Sequence, residues 1–361
     1  MAYIIHLRNL FILLRFVDTM NDVLVYGVPL DPDERESVVR LKHDQRARAS
    51  LPHPDPYTAL SRSFSFKHQL LGNVPVESWL TPLPSEEELF MSTVENYVAF
   101  IDSDGCWEYT QAIKAGMGEL VGDNRSLMIA VDHSVAAAPI MHACELHGKD
   151  DVGVVMFDSH FDGILPSYRC GLIQYDIDTN PQSHFDPDDP FVVNRPESFN
   201  ADSFLYRLID DGHIAPENVM IVGVSDYPSK KTEQIRDERI QRFLSFYHHY
   251  EGMGVTILPK ERLRANKRLF DPSSLDCSRI HVSVDIDVGS RNAIYGARFI
   301  DYKGLSTAEI EAHMQRIRES KKEIVSADIS EIDVWKAGFK HHGKKDATYA
   351  VAKRIGNMLF G

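Results

Sequence analysis

The segment VGVVMFDSHFDGI, residues 152–164, runs an apolar stretch directly into three ionisable residues at alternate positions, Asp158, His160 and Asp162. In an extended chain, residues two apart project to the same side, so the three side chains are predicted to converge. Converging carboxylates repel one another, and burial penalises each charge further. A bound cation relieves both penalties. A single D-x-H-x-D pattern also describes a solvated strand end, so its meaning depends on what the rest of the chain brings to it.

Two other apolar runs end in matching chemistry. SLMIAVDHS (126–134) closes on Asp132, His133 and Ser134, and HVSVDIDVG (281–289) carries Asp285 and Asp287, again two apart. Taken together the three run ends supply His133, Asp158, His160, Asp162, Asp285 and Asp287: two imidazoles, four carboxylates and no thiolate. One octahedral ion has no use for all six ligands with water besides, whereas two ions with bridging carboxylates do. Oxygen and imidazole donors suit Mn²⁺ and also admit Ni²⁺, Co²⁺ or Zn²⁺.

The runs themselves indicate the fold. Short β-branched segments are predicted as strands at DVLVYGV (22–28), NYVAFI (96–101), SLMIAV (126–131), VGVVMF (152–157), NVMIVGV (218–224), GVTIL (254–258), IHVSVDI (280–286) and EIVSADI (323–329). Amphipathic stretches between them, such as 107–121, 202–212 and 307–320, read as helices. This alternation predicts an α/β fold of three layers, with a mostly parallel sheet of about eight strands covered by helices on both faces. Such sheets carry their sites at the carboxyl ends of the strands. The Pro-rich 51–60 and acidic 180–191 segments read as long loops, and nothing marks a second domain.

Among 361 residues, 39 are basic and 53 acidic, a net charge of −14, and no long basic run occurs. That argues against a nucleic-acid partner, since phosphate binding needs clustered Lys and Arg. The four cysteines, Cys106, Cys144, Cys170 and Cys277, are scattered, which favours a reducing compartment over a disulfide framework. The apolar run 3–17 is broken by His6, Arg8 and Arg15 and is too short to span a bilayer. A cytoplasmic protein without a membrane partner is expected.

The three motifs, in this order, resemble those of the arginase/agmatinase (ureohydrolase) family, G-G-D-H-S, D-A-H-x-D and S-x-D-x-D, at VDHS (131–134), DSHFD (158–162) and SVDID (283–287). The resemblance runs from about Gly116 to the C-terminus. It implies an arginase-like fold and two Mn²⁺ ions per chain. His133, Asp158, Asp162 and Asp285 would hold one ion, and His160, Asp158, Asp285 and Asp287 the other, with Asp158 and Asp285 bridging. It further implies a homo-oligomer, trimer or hexamer, acting on a small guanidino substrate and releasing urea and an amine. Glu331, in SADISEIDVW (326–335), resembles the family glutamate that pairs with the substrate guanidinium, and Asp162 would steer the catalytic proton.

The sequence also departs from the family pattern. The usual L-D-P and Gly/Pro-rich loop is replaced by DIDVGSRNAIYGARFIDYKGLS (285–306), which keeps only Gly304-Leu305. The H-G-T-P-F histidine falls on Asn200, with His184 as another candidate for its place, and Ile164 stands where arginases carry an asparagine that reads the α-carboxylate. An agmatinase-like or related guanidino-compound hydrolase is therefore favoured over arginase. The new loop brings Arg291, Asn292, Tyr295, Arg298 and Tyr302. Arg291 and Arg298 are candidates to grip an acidic substrate tail such as that of 4-guanidinobutyrate. The alternatives are a formimino-compound hydrolase, a non-catalytic metal-binding subunit and a one-zinc deacylase, the last disfavoured by the complete D-x-D.

Residues 1–19 are expected to lie outside the catalytic domain, 20–361, with Met20 a candidate start. Deleting 1–19 should leave cooperative unfolding and Mn²⁺ binding intact; a truncated chain that fails to fold would place this segment in the core.

Overall fold

The structure, a computed structural model, describes residues 22–183, 185–192, 194–341 and 343–361. Eight strands form one sheet: β1 (Val23–Val28), β2 (His68–Asn73), β3 (Ser126–Ala130), β4 (Val152–Phe157), β5 (Val219–Val224), β6 (Thr256–Pro259), β7 (Arg279–Asp285) and β8 (Glu323–Ser330). Their spatial order is β2-β1-β3-β8-β7-β4-β5-β6, and every neighbouring pair is parallel. Residues of β1, β3, β4 and β5 are buried without exception. Covered on both faces, they read as unbroken apolar runs instead of alternating ones.

Alternation sorts each strand between two cores. Tyr26, Met128, Val154, Met156 and Ile221 pack on one side with Ile113, Met117, Ile140, Leu208 and Tyr247, from helices 105–120, 137–147, 204–210 and 238–252. Val25, Leu127, Val155, Phe157 and Val222 pack on the other with Ile310, Met314, Ile317, Val351 and Ile355, from helices 307–319 and 348–360. Three layers result, as expected. Helix 307–319 starts on a full capping box: Ser306 accepts from the Glu309 backbone, and the Glu309 carboxylate accepts from the Ser306 N–H.

Two readings of the sequence need correction. Residues 96–101, predicted as a strand, lie in helix Val94–Asp102. Their buried members, Tyr97, Val98 and Ile101, are spaced i, i+1, i+4, which is one helix face, and Thr93 caps the start by accepting from Asn96 N–H. The eighth strand is instead β2, whose polar, partly exposed HQLLGN sits at the sheet edge and so lacks the apolar run of a buried strand. Part of the 51–60 loop is also helical, with Asp55 capping Pro56–Leu60.

The order β3-β8-β7-β4 places four functional strands side by side. Ile129 pairs with Ile329, Ile329 with Val284, and Val284 with Phe157, so these strand ends lie in one register row. The residues that follow emerge at the same level of the carboxyl edge. Over this edge runs the loop 290–304, held by Gly304 N–H to Ser290 O and Leu305 N–H to Val288 O. Gly304 permits that approach, because a Cβ there would lie 2.1 Å from Val288 O. Gly304→Ala should cost about 1–3 kcal/mol through overpacking against a backbone atom. An unchanged urea midpoint would contradict this.

Candidate metal centre

Beyond the strand ends, short turns aim the ligands. Asp158 Oδ1 accepts from His160 N–H at 2.7 Å, and Asp285 Oδ1 accepts from Asp287 N–H at 2.7 Å. The spacing of two thus serves an Asx turn, in which a carboxylate ties one oxygen to the backbone two residues on. The other oxygen remains for the centre. This corrects the expectation of strand alternation: β4 ends at Phe157, and Asp162 takes a left-handed φ of 51°. Asp287 Oδ1 accepts from Ser159 N–H, tying the second motif to the third.

His133 opens the turn that follows β3 and is wholly buried. Its Nδ1 lies 2.7 Å from Asp162 Oδ2, 3.3 Å from Asp158 Oδ2 and 3.6 Å from Asp285 Oδ2. Its Nε2 is 2.9 Å from Ser283 Oγ, and Phe204 packs against the ring at 4.8 Å. With an Nε2–H donated to Ser283, the Nδ1 lone pair is presented to the centre. His160 Nδ1 lies 2.8 Å from Asp287 Oδ2. Ligand atoms of His133, Asp158, Asp162 and Asp285 all fall within 4.8 Å of one another, as do those of Asp158, His160 and Asp287. Asp158 belongs to both groups. Asp285, expected in both, falls in the first at this distance.

This donor set fits two divalent cations. Its four carboxylates match their charge, and Asp158 Oδ2 is buried without a hydrogen-bond partner among the described residues. Leaving such an atom unmet costs about 1–3 kcal/mol. Burial first, then the neighbouring carboxylates, push Asp158 and Asp285 well above the usual carboxylate range. At His133 burial works downward, but the Asp162 hydrogen bond and the surrounding carboxylates carry it up to about 10.

Glu331 follows β8 with φ 63°. Its Oε1 accepts from His133 N–H at 3.1 Å and from Arg298 Nη1 at 3.2 Å, while Oε2 is buried with no partner among the described residues. Burial raises its pKa to about 8 against the lowering pull of Arg298. Arg298 is 5% exposed, donates to Asp132 Oδ2 at 2.8 Å, and has Asp31 and Asp33 within 3.8 Å. It therefore sits inside a carboxylate cluster and is not free to grip a substrate tail. Arg291 is exposed and donates to Asp301 O. Asn200 is half-buried and bonded to Ser203, closing the turn before helix 204–210. His184 lies outside the described residues.

Besides Tyr302, which the sequence already placed in the new loop, three contributors escaped the sequence reading: Ser283, Phe299 and Asp226. Ser283 lies within the third motif and orients His133. Tyr302 and Phe299 pack their rings 5.8 and 6.5 Å from His160. Asp226, two residues past β5, bonds Tyr247 Oη at 2.8 Å and acts electrostatically on His160. It is a carboxylate beyond a strand end, the same signal that identified the others.

Mn²⁺ should raise the melting temperature, by about 2.7 kcal/mol of stabilisation at 100 times its dissociation constant. Because Asp158 and Asp285 are raised, protons compete with the ion, and they also relieve the charge repulsion when it is removed. The Mn²⁺-dependent gain is thus expected to be larger at about pH 8 than at about pH 6, and to shrink in Asp158→Asn. A gain independent of both pH and Asp158 would contradict this assignment.

Solved structures resemble this one along nearly their whole length. A formiminoglutamase variant of Trypanosoma cruzi with Mn²⁺ aligns with TM-score 0.56 at 14% identity, covering 98% of this chain and 96% of that one. Formimidoylglutamase of Bacillus subtilis gives 0.55 at 15%, covering 96% and 88%, and proclavaminate amidino hydrolase of Streptomyces clavuligerus 0.54 at 17%, covering 94% and 90%. At these identities the likeness is one of fold. No curated protein matches. The profile described as the Arginase family matches residues 21–337, which takes in all three motifs and Glu331, and the chain belongs to that family.

Proposed function

We propose that this protein is a binuclear-metal amidinohydrolase, cleaving a linear C–N bond of a guanidino compound to give urea and an amine. The observation that carries this reading is the pair of overlapping ligand groups sharing Asp158, with the unpartnered Oε2 of Glu331 buried beside them. His133, Asp158, Asp162 and Asp285 would hold one ion and His160, Asp158 and Asp287 the other, with Asp285 beside the second through the bond it accepts from Asp287 N–H. Mn²⁺ is favoured by the oxygen-rich donor set and by the ion named for the trypanosomal relative.

Bound divalent ions make water nucleophilic at neutral pH. The rest falls to side chains. Glu331 Oε2 accepts an N–H of the substrate cation and fixes the planar carbon next to the ligand groups. Asp162 takes the proton released by the attacking water and returns it to the departing amine nitrogen. Tyr302 and Phe299 set their rings edge-on against His160.

A formimino compound is the second reading, supported by the likeness to formimidoylglutamase. With Arg298 enclosed and Arg291 exposed, the loop offers no built carboxylate clamp, so agmatine is favoured over 4-guanidinobutyrate. We place the catalytic unit at 20–361, as a cytoplasmic homo-oligomer; the four free cysteines suit a reducing compartment, and no helix among the described residues is long and apolar enough to cross a membrane.

A panel of agmatine, 4-guanidinobutyrate, arginine and a formimino amino acid, assayed with Mn²⁺, tests the reading. Release of urea from a guanidino compound is expected. Asp158→Asn and Asp285→Asn should each lower kcat by more than the roughly 10–100-fold typical of a metal's outer partners. No turnover of any compound by protein that holds two ions would overturn the proposal.

A further inference from the structure

We propose that Arg298 is an affinity-limiting residue that occupies one oxygen of Glu331 from within the chain and so limits how a substrate cation is held. This inference rests on the amidinohydrolase reading and concerns the same carboxylate. Glu331 Oε1 already accepts two bonds, from His133 N–H at 3.1 Å and Arg298 Nη1 at 3.2 Å. Oε2, buried and unpartnered, is the acceptor left for a ligand. A guanidinium pairs best with a carboxylate through two parallel N–H···O bonds. Here an internal guanidinium holds half of that fork, and an incoming one is left with a single oxygen and a like charge nearby.

The geometry of Arg298 is that of a fixed element. Its N–H donates to Glu331 O at 3.0 Å, and Ala297 bridges Ile332 in antiparallel fashion, fastening the loop to the end of β8. Arg35 Nη1 and Lys336 Nζ both donate to Arg298 O, at 2.7 and 3.1 Å. Asp132 takes the other bond of Nη1, and Asp31 and Asp33 lie at 3.8 and 3.7 Å. Arg298 thus has a structural use, since it neutralises a buried acidic group. It also has a cost to the ligand that a purely structural role does not carry.

The two roles predict opposite signs. If Arg298 merely positions Glu331, its removal loosens the site and weakens guanidino ligands. If it competes for Glu331, removal frees Oε1 and tightens them. Arg298→Met combined with Asp132→Asn deletes one positive and one negative charge together, and Asp132→Asn alone is the reference. The probes are agmatine and 4-guanidinobutyrate, which share the guanidinium and differ in the tail. Dissociation constants are taken from ligand-induced shifts of melting temperature in the Mn²⁺-loaded full chain, with kcat and KM measured in parallel.

The expected result is at least fivefold tighter binding of both probes, with KM falling and kcat not rising. Unchanged or weaker binding overturns the inference. Should the double variant not unfold cooperatively, Arg298→Gln carries the test, as its amide can still donate to Asp132; tightening of both probes relative to wild type is then expected, and its absence overturns the proposal. Because binding is read separately from urea release, a wild-type protein without turnover would count against the amidinohydrolase reading alone.

Discussion

The carboxylates of Asp158, Asp162, Asp285 and Asp287 are buried in two overlapping groups that share Asp158, with the His133 imidazole in one and the His160 imidazole in the other. Burying even one unpaired charge is expensive, and several together are tolerated only with counter-charge. Much of the architecture answers that constraint. The register row through Ile129, Ile329, Val284 and Phe157 brings four strand ends level, and the Asx turns at Asp158 and Asp285 satisfy one oxygen each through the backbone. The remaining oxygens face inward. What is left over is negative charge arranged for cations.

A second charged group adjoins the first and is solved differently. Asp31, Asp33, Asp132 and Glu331 surround Arg298, Asp31 pairs with the fully buried Lys42, and Asp33 pairs with Arg35. Here the counter-charges are supplied by the chain itself. Glu331 touches both groups: one oxygen is bonded to Arg298 and to the backbone of His133, and the other is unpartnered. It joins a neutralised cluster to one of uncompensated negative charge, the position from which Arg298 is proposed to act on a substrate cation.

How much of this was legible in the sequence depended on the range of the interactions. β4 and its neighbours were readable because burial on both faces leaves an unbroken, β-branched apolar run. Residues 96–101 have the same composition, but their burial follows a helical face fixed by helix packing, and β2 is polar because an edge strand needs little burial. The six candidate ligands were readable because each motif is local. The direction of their side chains was inferred for the wrong reason, since turns and not strand alternation aim them. Arg298 lies 33 residues before Glu331 and 166 after Asp132, and nothing local to it encodes either contact. Asp226, two residues past the end of β5, carries the same local strand-end signal as the other carboxylates.

Metal content tests the central claim most directly. Protein equilibrated with Mn²⁺ and freed of excess ion should retain two ions per chain. Asp287→Asn, which touches only the group with His160, should fall towards one, and Asp158→Asn should lose both. A wild-type ratio of one or none, or a ratio of two that survives Asp158→Asn, would contradict the binuclear centre described here.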